Sequence, residues 1–347
     1  MFRIKQTKNK YSLDRLAKKY YKKLNPCAPK RKTHTLENRI KEQEKAETVI
    51  EKKRFYQLLT QNHCANLKKI IIGKPAVLEA WYNRVESLVN RKEILPLWEI
   101  KNGKIKSTDF GNEILSLFNY KGQRKSEYTF YWLFKELNIL VCPYCGTSYL
   151  EFIDTPKPKL RFHIDHFIPK AMAPYLSLSF YNLIPACNNC NSGEKGEKFF
   201  RPSTHIHPYI HDFNQWAKFT ISAPIISNNL KSFDIQIKAI SHRKRIEKAK
   251  KDLNLEPIYK NFKNRVIRLD EIKNEYNETA KQSLLNNGTY SGTIFSNREE
   301  VLAYIAKTTD IPYNEEEARN KCLGKMRLDL ACLLYTSPSP RDRQKSR

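Results

Sequence analysis

The sequence predicts an α+β fold: a short strand, strand, helix core set between two mainly α-helical regions. Three observations carry this. Helical spacing of apolar residues dominates the first third of the chain and returns after residue 242. Short alternating stretches gather near the middle of the 347 residues. Two Cys-x-x-Cys pairs, Cys142/Cys145 and Cys187/Cys190, bracket those stretches.

The elements follow in order. Residues 1–33 hold twelve Lys or Arg against the single Asp14, a balance of +11, with Tyr11, Tyr20 and Tyr21 interleaved. This run reads either as a basic helix on nucleic-acid phosphates with stacking tyrosines, or as a solvated helix face with packing tyrosines. Asn25-Pro26-Cys27-Ala28-Pro29 ends it. From Leu36 to about Gln61 mixed charges predict an exposed helix that turns amphipathic at Phe55, Leu58 and Leu59. Val77, Leu78, Trp81 and Val85 predict a helix over 76–89, and an aromatic-rich segment over 118–137 delivers the chain to Cys142. Residues 146–153 and 161–165 alternate as strands, Pro169 ends pairing soon after His166, and 179–185 reads as a connection with an apolar anchor. A helix begins near Asn189, loosened by Gly193 and Gly196. Residues 232–240 alternate as a strand, and 242–285 are helical. The expected divisions are a basic, mainly helical region over 1–137, a core over 138–215, a strand plus helical region over 216–332, and a tail over 333–347. That tail contains Leu-Leu-Tyr-Thr-Ser-Pro-Ser-Pro-Arg-Asp, which resembles a translated sequencing adapter, and is expected to be non-native. Setting it aside lowers the net charge only from +27 to +24.

Four thiolates in two short-spaced pairs meet the needs of a tetrahedral Zn²⁺, because two intervening residues let both sulfurs of a pair reach one ion. The alternative for Cys142-Pro143-Tyr144-Cys145 is a glutaredoxin-like redox motif. Such a motif caps a helix, whereas 146–153 is rich in strand formers, and the second pair has no role in it. With all four positions filled by sulfur, the zinc is expected to be structural.

Between the pairs stand His163, Asp165, His166 and Asn182, and directly after the second pair stands Asn191. Two strands followed by a helix bring the last four to one face. The Asp165-His166-x-x-Pro169 string, Asn182, the second CxxC and Asn191 occur in the order of an HNH endonuclease, and Cys142 to about Lys198 resembles that family's ββα-metal fold with an added zinc site. The resemblance makes His166 the general base, Asp165 and Asn191 ligands of a catalytic Mg²⁺ or Mn²⁺, and Asn182 the residue that orients the base. The chemistry suits phosphodiester hydrolysis. An imidazole with pKa near neutrality takes a proton from water, a hard cation on oxygen ligands stabilises the leaving oxygen, and an Asn182 carbonyl accepting from the ring N–H would fix the tautomer.

His163 shares a strand face with Asp165, and three roles stay open for it: a further metal ligand, a phosphate contact, or a half-buried strand histidine. His205, His207 and His211, interrupted by Pro208, predict a loop packed back over the core rather than a catalytic cluster. A zinc deaminase needs His-x-Glu ahead of its Pro-Cys-x-x-Cys; here the order is reversed and the acid is Asp165.

A formal charge of +27 points to a polyanionic partner, DNA or RNA. No apolar run approaches a membrane span and no signal-peptide core follows Met1. Scattered Cys27, Cys64, Cys322 and Cys332 fit a reducing, cytoplasmic setting. Residues 253–267 resemble the helical tail of phage-defence HNH proteins such as the Septu-like nuclease subunit, which implies antiviral defence beside an ATPase. Two function classes remain: a metal-dependent endonuclease cutting DNA, and a zinc-stabilised nucleic-acid-binding or adaptor module without cleavage activity.

Overall fold

The structure is a computed structural model, describing residues 2–5, 12–26, 35–125, 127–223, 225, 232–287 and 295–336; the side chains of 125, 127, 128, 335 and 336 are not described. Lys8, Lys10, Tyr11, Cys27, Ala28, Pro29, Lys30, Arg31, Lys32 and tail residues 337–347 lie outside the described residues. The chain divides into two units, one of Arg3–Ile139 with Leu150–His211, the other of Met1–Phe2, Leu140–Tyr149 and Asp212–Arg347.

The first unit opens with α1 (Leu13–Leu24), started by the Ser12 hydroxyl accepting from the Arg15 amide, with Asp14 in its first turn and Lys22 and Lys23 in its last. Leu16, Ala17, Tyr20, Tyr21 and Leu24 share its buried face. Both tyrosines that were open to a stacking role are therefore packed: Tyr20 donates to the Leu178 carbonyl and Tyr21 to Glu37. α2 (Leu36–Ala46) and α3 (Ile50–Ile72) replace the single helix expected over 36–61, because Glu47–Val49 turns extended. α3 is itself broken at Gln61–Cys64, where Asn62, His63 and Cys64 take positive φ. α4 (Pro75–Asn90) uses Pro75 in its first turn, where a missing N–H is harmless.

A hairpin of β1 (Trp98–Lys101) and β2 (Lys104–Ser107) was not anticipated; Asn102 and Gly103 turn it with φ of 54° and 69°. α5 (Asp109–Phe118), α6 (Tyr120–Lys125), a π turn over Glu127–Tyr131 and α7 (Trp132–Leu137) complete the helical part. Its rings seat the loop that follows His166: Phe55 packs edge-on to Phe110 and Tyr175, and Tyr20 against Phe130 and Phe180.

The core strands differ from expectation in their partners. β3 (Phe152–Ile153) pairs with β4 (Lys159–Leu160), while β5 (His163–His166) pairs antiparallel with β6 (Leu183–Ala186), matching His163 to Ala186 and Asp165 to Ile184. The second strand of the ββα core is thus the stretch read as a connection. Pro185 obscured it, yet a two-stranded ribbon is all edge and tolerates proline.

In the second unit, α8 (Phe213–Trp216) leads into β7 (Ala217–Ile221), which pairs with β8 (Ile235–Ala239). α9 (Arg243–Asp252), α10 (Leu255–Lys260), α11 (Lys263–Glu275), α12 (Glu278–Asn287), α13 (Arg298–Thr308), α14 (Glu315–Asn320) and α15 (Gly324–Thr336) follow. Tyr259 of α10 donates to the Cys145 carbonyl at 2.6 Å, and the Leu323 amide donates to the Gly146 carbonyl at 2.7 Å. The first cysteine turn is fixed by both.

In the first unit, buried Glu79 of α4 accepts from Arg201 Nε at 2.7 Å, the Ser203 amide at 2.9 Å and the Ser203 hydroxyl at 2.5 Å. Glu79→Ala is expected to destabilise this unit by about 2–4 kcal/mol, read from urea denaturation, because three charge-assisted bonds lose their acceptor.

Candidate active site and metal-binding cluster

β5 places His163 and Asp165 on one face, since side chains two residues apart on a strand point the same way. The facing element begins where a helix was expected but is a π turn over Asn189–Lys195, closed by the Gly196 amide donating to the Asn191 carbonyl at 3.0 Å. Gly196 sits at φ +50°, which L side chains avoid. The turn lays two side chains against the strand. Asn191 Nδ2 donates to His163 Nδ1 at 3.0 Å, and Lys195 Nζ donates to Asp165 Oδ1 at 3.0 Å and to the His166 carbonyl at 2.9 Å.

Lys195 was not foreseen. Its side chain is 1% exposed and that of Asp165 5%, so this is a buried ion pair. A buried ammonium is tolerated only with its charge matched and its protons bonded. A lysine between two glycines reads in sequence as surface charge, and only the strand contact reveals otherwise.

His166 is buried and its Nε2 lies 3.1 Å from the Ser177 carbonyl. A carbonyl only accepts, so Nε2 carries the proton and Nδ1 is the basic nitrogen. The expected bond from Asn182 is absent among the described residues: its Oδ1 accepts from the Ile168 amide at 2.7 Å, and its Nδ2 donates to the Ile168 and Leu176 carbonyls at 3.0 and 3.2 Å. Asn182 therefore fixes the residue just before Ser177 and touches the imidazole through it. The expectation of a near-neutral imidazole also fails. Burial first, then the cation of Lys170, with smaller contributions from Lys195 and Arg124, presses the His166 pKa down to about 3 against the Ser177 bond. At neutral pH the ring is uncharged. His163, half-buried, is lowered by burial and by Arg124.

Asp165 and Asn191 supply a carboxylate and an amide oxygen from facing elements, a donor chemistry that suits a hard cation such as Mg²⁺ or Mn²⁺. Lys195 already occupies one carboxylate oxygen and is the competitor any such ion meets.

The sulfurs of Cys142, Cys145, Cys187 and Cys190 lie within 4.8 Å of one another. Tetrahedral Zn–S bonds of about 2.3 Å set sulfurs ~3.8 Å apart, so the cluster fits a structural zinc site. Each pair is shaped as a turn. Thr147 donates its amide and hydroxyl to Cys145 Sγ at 3.4 and 3.1 Å, and the Cys190 amide donates to Cys187 Sγ at 3.5 Å.

Residues 142–197 match the HNH endonuclease family model. "Protein ea31" of Escherichia phage lambda is 44% identical over 71 residues, which cover 20% of this chain and 21% of the phage protein. The chain thus spans about one fifth of that relative. No solved structure matches it. No helix among the described residues is long and apolar enough to cross a membrane.

The histidines that follow residues 142–197 pack. His205 stacks on Phe200 with centroids 4.2 Å apart, and His207 lies 4.1 Å from Phe167, the residue after His166. His207 accepts from the Tyr209 amide, and burial, reinforced by His211 and opposed by the Tyr181 carbonyl, holds its pKa well below 6.5.

Two predictions follow from these burials. Lys195→Met should cost about 3–5 kcal/mol in unfolding free energy by stranding Asp165, and Asp165→Asn in the same chain should recover most of it. Unfolding free energy should also decline as pH falls below about 6.5, by up to ~1.4 kcal/mol per pH unit for His207, since only the unfolded chain takes up that proton. His166, lowered by the same burial, adds a decline of its own, so His207→Gln should reduce the slope by the His207 share and leave the rest; an unchanged slope would show that His207 contributes nothing.

Proposed function

We propose that the chain is a metal-dependent endonuclease that hydrolyses phosphodiester bonds in DNA at His166. The observation that carries the reading is the His166 geometry: a neutral imidazole with Nε2 committed to the Ser177 carbonyl and Nδ1 left as the basic atom, in the residue that directly follows Asp165 on β5.

In this reading Nδ1 of His166 takes the proton of the attacking water. Ser177 holds the ring, and Asn182 holds the Ser177 turn through Leu176. Asp165 and Asn191 would hold a Mg²⁺ or Mn²⁺ ion, which would supply charge stabilisation to the leaving oxygen. His163 orients Asn191 by accepting from its amide nitrogen, which leaves Oδ1 as the ligand atom. Zinc on Cys142, Cys145, Cys187 and Cys190 fixes the turn that leads directly into Asn191. The nuclease core is placed over 138–215, with DNA as partner through the excess of positive charge. A cytoplasmic, anti-phage role beside an ATPase rests on the resemblance of 253–267 alone.

The decisive assay is Mg²⁺-dependent nicking of supercoiled plasmid by the wild type and by His166→Ala. The wild type should cut and the variant should lose at least about a hundredfold in rate. Equal cutting by both would remove His166 from the mechanism. Binding without cutting in the wild type would favour the zinc-stabilised binding module. The two metals separate by direct metal analysis: Cys187→Ser should lose zinc and unfold the core, while Asp165→Ala should keep it. Zinc loss from the Asp165 variant would mean that the sites are not distinct.

A further inference from the structure

Beside His166 stands a group of cations that has no carboxylate partner among the described residues. Tyr120, the first residue of α6, packs edge-on to His166 with ring centroids 4.7 Å apart. Lys170, four residues beyond His166, places its Nζ 5.0 Å from the centre of the same tyrosine ring. Arg124 follows Tyr120 by four residues, so the helix carries the two on one face, and Lys121 adds a third charge. The field of Arg124 acts on His163, His166, Tyr120 and Lys170 alike, and that of Lys121 acts on Lys170. Lys121, Arg124 and Lys170 are all exposed.

Like charges whose fields meet at Lys170 raise one another's energy, and an anion placed among them relieves it. The neighbouring acid, Asp165, is already joined to Lys195. A planar guanidinium and a mobile ammonium are the two groups best suited to a phosphodiester, one presenting paired donors and the other a point charge. Tyr120 supplies the rigid wall that spaces them from the imidazole.

We propose that Arg124 and Lys170, assisted by Lys121, form a phosphate clamp that holds the strand being cut against His166. The inference rests on the nuclease reading and names a helix outside residues 142–197 as part of the substrate site. The clamp positions the scissile phosphate or its immediate neighbour, and its charge opposes the negative charge that grows on the non-bridging oxygens as water attacks.

Two measurements test it on the full chain: plasmid nicking in Mg²⁺, and binding of a short fluorescein-labelled DNA duplex without Mg²⁺ across a salt series. Arg124→Ala/Lys170→Ala should slow nicking by about a hundredfold. The same variant should flatten the slope of log affinity against log salt by about 1.8, two phosphate contacts at roughly 0.9 each. Arg124→Lys should keep the salt slope and recover only part of the rate. The matched charge loss Arg243→Ala/Lys244→Ala, on α9, should leave the nicking rate unchanged. Near-UV circular dichroism confirms that each variant is folded. If the double variant cuts at the wild-type rate with an unchanged slope while His166→Ala is inactive, the clamp is wrong and the nuclease stands. An equal loss in the α9 control reduces the effect to net charge and also overturns it. A wild type that binds without cutting leaves the slope to decide the clamp, and one that neither binds nor cuts overturns both readings.

Discussion

The buried pair of Lys195 and Asp165 is the constraint on which the rest of the site depends. An ammonium and a carboxylate shut away from water gain nothing unless each meets the other in good geometry. Lys195 satisfies this by bonding both Asp165 and the His166 carbonyl, so one side chain ties the π turn to two successive residues of β5. That tie sets the spacing at which Asn191 reaches His163. An α-helical turn would carry Lys195 round by a different angle. The wider π turn, with its left-handed Gly196, brings both Asn191 and Lys195 to the strand.

Positive charge around His166 is the second constraint. Burial and the cations of Lys170, Lys195 and Arg124 all favour the neutral ring, and the Ser177 carbonyl opposes them without prevailing. The ring is thereby kept as an acceptor at any ordinary pH. Negative charge brought close to Lys170 and Arg124 works against the electrostatic part of this depression and leaves the burial part in place. The same cations that weaken the base in the free protein are the ones an incoming phosphate would neutralise.

Much of this was legible in the sequence, and the omissions have physical causes. Cysteine spacing and the helical spacing of 76–89 are local signals, and each survives in the structure. β6 was missed because Pro185 masks a strand that needs only one paired edge. The bond that orients His166 was missed because its acceptor is the backbone of Ser177, which no side-chain pattern encodes. Lys195 was missed because burial of a lysine is decided by what faces it, here Asp165, thirty residues earlier. Tyr20 and Tyr21 show the converse: an aromatic residue among lysines looks available for stacking, yet α1 turns both inward.

The two proposed metal duties would be kept apart by donor chemistry. Thiolates hold zinc tightly and leave no open position, whereas a carboxylate and an amide oxygen hold a hard ion loosely enough for phosphate and water to share it. Cys190 and Asn191 are adjacent in the chain, so the second cysteine pair and the Asn191 amide belong to one continuous turn. Fixing Cys190 fixes where Asn191 begins, and Lys195 fixes where the turn ends on Asp165. Between those two anchors the position of the Asn191 amide is determined at both ends. Side chains carried by a short loosened turn can therefore be held as firmly as those of a regular helix.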